Sequence, residues 1–292
     1  MVLIKDITDA NGGCETYSVR GLDNQLIAQM NKMHSGLLVQ IDDLNVELGK
    51  SVHPWMQAAA KECLKQAIAQ RGQKMKINSA YRTLAGQMLL RSHFEHGKRC
   101  GIVAAAQPGG SNHNNASAID IEDSHGWQSA LEANGWKKLG NFDDMHFDCV
   151  HKDIAAINSI AVMAFQQLWN IARPTDKLAE DGDFGPATAS RLHFAPAEGF
   201  PGVGVPRILK LTEPLQIGND VGDLQLALRK AGITVEKADK IFGPGTDKAV
   251  KEFQAAKSLT ADGIVGNATL RGCLKSRRES KKALSVYAVN RQ

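Results

Sequence analysis

The sequence is poor in several features that would assign a protein quickly to a class. It has no run of about 18 apolar residues, the length that a bilayer-spanning helix needs, so we expect no transmembrane segment. Aromatic residues make up only 5% of the chain. The five cysteines lie far apart with no C-x-x-C pair, which argues against a disulfide framework. The first residues also lack the basic segment and apolar run of a signal peptide.

The remaining composition is typical of a globular protein with two or three domains. Of 292 residues, 43% are hydrophobic and 23% are charged. The net charge is +4, and the segment from Lys275 to Gln292 holds six basic residues and one acidic residue. Such a tail can contact anionic polymers, but a solvated end is the more common case. No nucleic-acid-binding motif accompanies it, so nucleic acid is not an expected partner.

The first half of the chain mixes helical and strand patterns. Residues 54–70 and 83–96 have the apolar spacing of helices, and Pro54 suits a first helical turn. Apolar and polar side chains alternate, as in short strands, at residues 74–81, 116–123 and 143–150. These patterns predict an α+β domain with a small antiparallel sheet flanked by helices.

Two polar clusters accompany the predicted strands. Ser111 and His113 precede Asp120, and Asp143 precedes His146 by three residues. Because the opposite faces of these strands are apolar, the polar side chains can point into a cleft. Two imidazoles and one carboxylate form a ligand set for a catalytic zinc ion, and a further carboxylate can act as general base. An isolated histidine is more often a surface or core residue, so spacing alone leaves the metal site open.

Four short motifs lie around these clusters, namely NSAYRTLAGQ (78–87), SNHNNASAID (111–120), GW (135–136) and DDMHF (143–147). SNHNNASAID is similar to the signature S-x-H-x-x-G-x-A-x-D, and DDMHF is similar to [E/D]-x-x-H-F. In this order the motifs resemble those of the zinc D-Ala-D-Ala carboxypeptidases and VanX-like dipeptidases. That family includes phage endolysin peptidases that cut the peptidoglycan stem peptide. The resemblance covers roughly residues 36–150.

The resemblance implies a role for each matching residue. One zinc ion per catalytic domain would be held by His113, Asp120 and His146. Asp143 would act as general base and acid, and Arg82 would polarise the scissile carbonyl. The other matching residues would contact the substrate, namely Ser111 near the metal and Gln87 and Tyr81 in the pocket wall. The structural alternatives are an ordinary ion pair for Arg82 and a turn role for Ser111.

Two positions depart from the family pattern. Ala116 stands where the signature has Gly, so the approach to the Asp120 strand differs. Asp143 replaces the commoner Glu and is one methylene shorter, which favours endolysin-like members over the strict dipeptidases. Asp144 competes with Asp143 for the role of base, and Asp148 shares the predicted face of His146.

The second half of the chain is repetitive. The pattern D-x-x-[FV]-G-x-x-T occurs at residues 181–188, 239–246 and 262–269. With the adjoining helical runs it resembles the three-helix peptidoglycan-binding module, well over 213–274 and in part over 154–200. We therefore expect five parts, namely a catalytic domain (1–152), a partial helical peptidoglycan-binding-like module (153–200), a linker (201–212), an all-α peptidoglycan-binding module (213–275) and a basic tail (276–292).

Both resemblances imply peptidoglycan as substrate and binding target. We expect a monomeric zinc metallopeptidase that hydrolyses the stem peptide or a cross-link. The bond stays open between a D-Ala-D-Ala terminus, a D,D cross-link and L-Ala-D-Glu. A non-catalytic wall-binding protein with a decayed metal site is the alternative. Action is expected in the cell wall, in the periplasm or outside the cell, after release by lysis, through a secretion machine or from a longer exported precursor.

Overall fold

The structure is a computed structural model that describes residues 1–9, 16–49, 51–97, 99–102, 104–140, 143–213 and 215–274. Three hydrophobic cores divide these residues into a sheet domain, a helical unit and a C-terminal unit. None of the helices in these ranges is long and apolar enough to cross a membrane. The expected basic tail (276–292) lies outside the described residues.

The sheet domain contains five strands in the order β2-β4-β5-β7-β6. Their bounds are Val46–Leu48 (β2), Met75–Ser79 (β4), Ala118–Ile121 (β5), Trp136–Lys138 (β6) and His146–Cys149 (β7). β2 is parallel to β4, and all the other neighbouring strands are antiparallel. A separate two-stranded ladder joins β1 (Val39–Gln40) to β3 (Trp55–Met56).

One face of the sheet forms a core with helices α3 (Ala58–Arg71) and α5 (Ser124–Ala133). Ile77, Ile119 and Phe147 from three adjacent strands are fully buried in this core. Because side chains alternate along a strand, Asp120 and His146 lie on the opposite face. The predicted α+β domain is confirmed, with one parallel strand pair added to an otherwise antiparallel sheet.

The helical unit brings together three separate parts of the chain. Helices α1 (Ile4–Asp9) and α2 (Arg20–Met33) share a core with α4 (Leu84–Glu95), α6 (Asn158–Ala172) and α7 (Pro186–His193). The sequence expectation placed residues 1–152 in one catalytic domain. In the structure the apolar face of α2 packs mainly along α6, and α4, which lies between β4 and β5 in the chain, joins the same core. The helical unit and the sheet domain therefore alternate along the sequence.

The C-terminal unit has a small core formed by three helices and a short strand pair. The helices are α8 (Asn219–Lys230), α9 (Pro244–Ala256) and α10 (Asn267–Leu274), and β8 (Gln216–Ile217) pairs with β9 (Ile241–Phe242). Val221, Phe242 and Phe253 are among its buried residues. This confirms the expected all-α module at the end of the chain.

The repeated eight-residue pattern folds into the same turn three times. In each copy a glutamine of the preceding helix donates from its amide to the Asp carboxylate and to the Thr hydroxyl of the pattern. Its carbonyl oxygen accepts from the backbone N–H that follows the Asp. The three sets are Gln166–Asp181–Thr188, Gln225–Asp239–Thr246 and Gln254–Asp262–Thr269. Residues 158–193 therefore share a local fold with the C-terminal unit.

The segment between the helical unit and the C-terminal unit forms contacts with both of them. Arg207 is buried and donates two hydrogen bonds to Asp220 at 2.7 and 3.1 Å. Leu209 belongs to the C-terminal core, and the Ile208 N–H donates to the Glu198 carbonyl of the helical unit. Residues 207–209 are therefore a packed connection within the linker expected at 201–212.

The cysteines differ in state. Cys63 and Cys149 are free and buried in the core of the sheet domain, as the apolar patterns around them suggest. Cys100 is disulfide-bonded, which the wide cysteine spacing did not predict.

Candidate metal centre and active site

Two candidate metal ligands lie side by side on the open face of the sheet. Asp120 of β5 and His146 of β7 are direct partners in the antiparallel ladder, so their side chains stand next to each other. His113 comes from the loop before β5. Ligand atoms of these three residues all lie within 4.8 Å of one another. The structure thus brings together the three residues that the sequence singled out.

Hydrogen bonds fix which nitrogen of each histidine faces the others. His113 Nδ1 lies 2.7 Å from the carbonyl oxygen of Ala80, so its protonated Nδ1 donates there and Nε2 is left as a ligand. His146 Nε2 lies 2.9 Å from Asp148 Oδ1, so its Nδ1 is the free nitrogen. The two histidines therefore offer different ring nitrogens to the site.

The spacing of the two ring nitrogens and the two carboxylate oxygens of Asp120 fits a small tetrahedral cation. His113 Nε2 lies 3.3 Å from His146 Nδ1 and 3.3 Å from Asp120 Oδ2, and His146 Nδ1 lies 3.0 Å from Asp120 Oδ1. Zinc bonds of about 2.0 to 2.1 Å in a tetrahedron place neighbouring ligands roughly 3.3 Å apart. The donor set and its spacing therefore suit a metal such as zinc.

The charges around the ligands are strongly coupled. Burial alone lowers the pKa of His146, but hydrogen bonds and charges from Asp120 and Asp148 outweigh it and raise this pKa to about 9. Burial and the nearby Arg82 charge lower the pKa of His113. Burial opposes ionisation of Asp120, but hydrogen bonds from both histidines hold its pKa well below the usual range. The carboxylates on both sides of His146 therefore favour positive charge at the ligand set.

Asp143 and its neighbour Asp144 lie in different electrostatic surroundings. Burial and the negative charge of Asp120 raise the pKa of Asp143, against the attraction of both histidines and Arg82. Asp144 instead bonds Lys138 at 2.7 Å and Ser124 at 2.8 Å, which lowers its pKa. A raised pKa suits a group that takes up and returns a proton, so Asp143 fits the role of base better than Asp144.

Arg82 lies at the edge of the ligand set. One of its terminal nitrogens is 3.9 Å from Asp120 Oδ2 and donates to Ser79 Oγ at 3.1 Å. The other donates to Gln87 Oε1 at 3.2 Å. The side chain is 19% exposed, so the guanidinium is held by the protein and still open to a bound molecule.

The three expected substrate contacts have other partners in the structure. Ser111 Oγ accepts from the His113 N–H at 3.2 Å, a turn contact that leaves its own hydrogen to donate. Gln87 is buried and connects Arg82 to the Ala106 carbonyl. Tyr81 is buried in the core of the helical unit, and its hydroxyl contacts Met30 Sδ. These positions favour structural roles for Gln87 and Tyr81 over the direct contacts expected from sequence.

Two site residues received little weight in the sequence. Asp148 had been noted only for sharing the face of His146, and it turns out to bond that ring directly. Ser79 lies between Arg82 and His113, 3.4 Å from His113 Nδ1. The alternation of apolar and polar residues in β7 placed Asp148 on the same face as His146. No local pattern indicated the contacts of Ser79.

The backbone explains why the signature has glycine at position 116. Ala116 has a φ of 53°, a left-handed conformation that costs a non-glycine residue about 1 kcal/mol. Its N–H bonds the His113 carbonyl, so this turn sets where the His113 loop leaves the strand. Ala116 thus replaces the glycine of the signature while its backbone keeps the left-handed turn conformation.

Comparisons with known proteins give two matches, each to one part of the chain. Residues 49–147 match the family model described as D-alanyl-D-alanine carboxypeptidase. Residues 217–271 match the model of a putative peptidoglycan binding domain. No curated protein and no solved structure matches the chain. The chain is thus similar to the D-alanyl-D-alanine carboxypeptidase family over the sheet domain and to a peptidoglycan binding domain over the C-terminal unit.

Proposed function

We propose that the protein is a zinc-dependent peptidase that hydrolyses an amide bond of the peptidoglycan stem peptide or cross-link. The observation that carries this proposal is the convergence of His113, Asp120 and His146, with Asp143 and Arg82 beside them. The family matches support a peptidase acting on peptidoglycan. They leave the bond open between a D-Ala-D-Ala terminus, a D,D cross-link and L-Ala-D-Glu.

His113, Asp120 and His146 would hold the zinc ion, which supplies Lewis-acid activation of the amide carbonyl and of water. Asp143 accepts the proton that water loses as its oxygen attacks the carbonyl carbon. The same carboxyl then returns this proton to the amine nitrogen when the C–N bond breaks. The raised pKa of Asp143 suits both directions of this transfer.

Arg82 stabilises the negative charge that develops on the carbonyl oxygen. Its guanidinium is held by Ser79 and Gln87 and carries its charge at every working pH, although burial lowers its pKa. A fixed donor aimed at developing charge costs no reorganisation during the reaction. Ser111 retains a hydroxyl hydrogen that can donate to a substrate near the ligands.

The C-terminal unit would hold the enzyme on its polymeric substrate. A binding domain attached to a catalytic domain raises the local concentration of cleavable bonds. This arrangement supports action in the cell wall or outside the cell. We propose a monomer with one zinc ion in the sheet domain.

The test is mass spectrometry of purified peptidoglycan and of defined muropeptides after incubation with the protein. We expect one new product, lost with EDTA, restored by added Zn²⁺ and absent with His146→Ala. The matched control is His34→Ala, which changes an exposed histidine at the end of α2. The product mass identifies the cleaved bond. Product formation that continues in the presence of EDTA and in the His146→Ala variant would contradict a zinc-dependent mechanism.

The alternative is a wall-binding protein whose metal site has decayed. It predicts normal binding to sacculi, no bound zinc and no product from any wall type. Zinc content of the purified protein therefore separates the two functions before any substrate is chosen.

The Gln166–Asp181–Thr188 turn supports a partial wall-binding role for the helical unit as well. It repeats the hydrogen bonds of the two turns in the C-terminal unit. Hydrogen exchange of the full chain with soluble peptidoglycan fragments tests this role. Protection at residues 158–193 as well as 217–271 is expected, and protection confined to 217–271 would assign α6 and α7 to packing alone.

A further inference from the structure

Asp148 connects the two histidines of the candidate metal centre. Its carboxylate accepts a hydrogen bond from His146 Nε2 at 2.9 Å, and the side chain of Asn112 lowers its pKa. Asn112 directly precedes His113 in the chain. The carboxylate of Asp148 therefore bonds one histidine and interacts with the loop that carries the other.

The fold explains why Asp148 is in this position. His146 and Asp148 are two residues apart on β7, so both side chains lie on the open face of the sheet. The Asn112 carbonyl accepts from the Ser117 N–H at 3.2 Å, which keeps the His113 loop close to the start of β5. Ala118 of β5 is in turn the ladder partner of Asp148.

The contact has a direct consequence for the imidazole of His146. A carboxylate at Nε2 keeps the hydrogen on that nitrogen and stops rotation of the ring. The other ring nitrogen, Nδ1, is thereby aimed at Asp120 and His113, at 3.0 and 3.3 Å. Carboxylates that orient a metal-binding histidine in this way typically change metal affinity by about 10- to 100-fold.

We propose that Asp148, supported by Asn112, is a positioning residue that sets the ring orientation of His146 for metal binding. This inference rests on the proposed zinc site and concerns residues that bind neither the metal nor the substrate. His113 receives the corresponding support from the Ala80 carbonyl, which no side-chain substitution can remove. Asp148 is therefore the point at which the support of the ligands can be tested by mutation.

The experiment measures the zinc dissociation constant of the full chain by competition with a chromogenic chelator. Asp148→Ala is expected to raise this constant by about 10- to 100-fold, and Asp148→Asn, which keeps a hydrogen-bond acceptor, by less. Asp148→Glu should recover part of the affinity. Asn112→Ala should produce a smaller loss, and its effect should largely disappear when Asp148 is already alanine.

The matched control is Asp153→Asn. Asp153 also pairs with a histidine, His151, at 3.6 Å, but this pair is exposed and away from the ligands. A visible absorption spectrum with Co²⁺ adds a readout of ligand geometry that a loss of stability alone would not change. Circular dichroism of each metal-free variant verifies that it is folded.

The outcomes separate this inference from the proposed function. Wild-type zinc affinity and an unchanged Co²⁺ spectrum in folded Asp148→Ala would overturn the positioning role and leave the peptidase proposal intact. A loss in Asp148→Ala no larger than that in Asp153→Asn would overturn it as well. A wild-type chain that binds no zinc would remove the proposed metal centre and this inference together.

Discussion

Asp143 and Asp144 are adjacent in the chain and have opposite surroundings. Asp144 is tied to Lys138 and Ser124, whereas Asp143 lies among the charges of Asp120, both histidines and Arg82. Residue type alone could not choose between them. The choice depends on which carboxyl reaches the ligands, and the fold of the 143–146 turn decides that.

Asp143→Asn is expected to lower kcat by about 100- to 10,000-fold, because an amide cannot accept and return the proton. Zinc affinity should stay close to that of the wild type, since Asp143 is not among the three ligands. Steady-state kinetics on a defined muropeptide and metal analysis of the same samples check both statements.

Asp144→Asn is the control for this prediction. It removes a carboxylate from the next position and should reduce kcat far less. Full activity of Asp143→Asn with an inactive Asp144→Asn would assign the base to Asp144.

At the scale of elements, alternation predicted three of the five strands of the sheet, β4, β5 and β7, and missed β2 and β6. Alternation in β5 and β7 correctly separated Ile119 and Phe147 from Asp120 and His146. The helix predicted from Pro54 begins instead at Ala58, because Trp55–Met56 pairs with Val39–Gln40. A backbone pair with a distant segment overrides the local helical pattern, and no window of sequence around Pro54 contains that partner.

Helix α2 is connected to the active-site segment through a buried aspartate. Asp23 accepts hydrogen bonds from Thr83, the N-cap of α4, and from His53 Nε2 at 2.7 Å. Thr83 directly follows Arg82. Helix α2 thereby holds the start of α4 next to Arg82.

Asp23→Ala is expected to destabilise the protein by about 3 kcal/mol, because two buried polar partners lose their acceptor. Urea denaturation monitored by circular dichroism measures this change. Asp42→Ala, at an exposed turn position, is the control and should shift the midpoint little. Equal stability of Asp23→Ala and the wild type would show that α2 and α4 are held together by apolar packing alone.

At the scale of the whole molecule, Arg207 fixes the C-terminal unit to the rest of the chain. Its side chain is 0% exposed and pairs with Asp220 in the first turn of α8. The same guanidinium donates to the Ile217 carbonyl of β8. Breaking a buried pair on one side leaves an uncompensated charge.

Arg207→Met should therefore weaken this connection by about 3 kcal/mol and speed proteolytic cleavage around residues 205–215. Limited proteolysis followed by mass spectrometry measures the rate and the site. Arg191→Met removes a partly exposed arginine of α7 that pairs with Asp176, and it should leave the cleavage rate unchanged. Resistance of Arg207→Met equal to the wild type would contradict a fixed connection.

Glu198 gives the same junction a pH dependence. It is buried, its Oε2 has no hydrogen-bond partner among the described residues, and burial raises its pKa above the ordinary value of 4.5. The folded protein thus binds this proton more tightly than the unfolded chain. The contribution of Glu198 to stability is present below pH 4.5 and is lost as the pH rises through its folded pKa.

Glu198→Gln stays uncharged at every pH. It is expected to be more stable than the wild type at pH 8, on the order of 1 kcal/mol, with the difference vanishing near pH 4. Thermal denaturation across this range, with exposed Glu132→Gln as control, measures the effect. A difference that does not change with pH would show that Glu198 has the same pKa in the folded and the unfolded protein, and would contradict this prediction.

The sequence by itself determined the residue types and order of the site, the α+β class of the sheet domain and the repeated turns of the second half. These features depend on short motifs and on periodicity, which are written in neighbouring residues. Only the tertiary structure decided that α2 packs on α6, that Asp143 rather than Asp144 lies near the ligands, and that Tyr81 is buried away from them. Those outcomes depend on contacts between residues far apart in the chain, and the free energy of such contacts has no local signature.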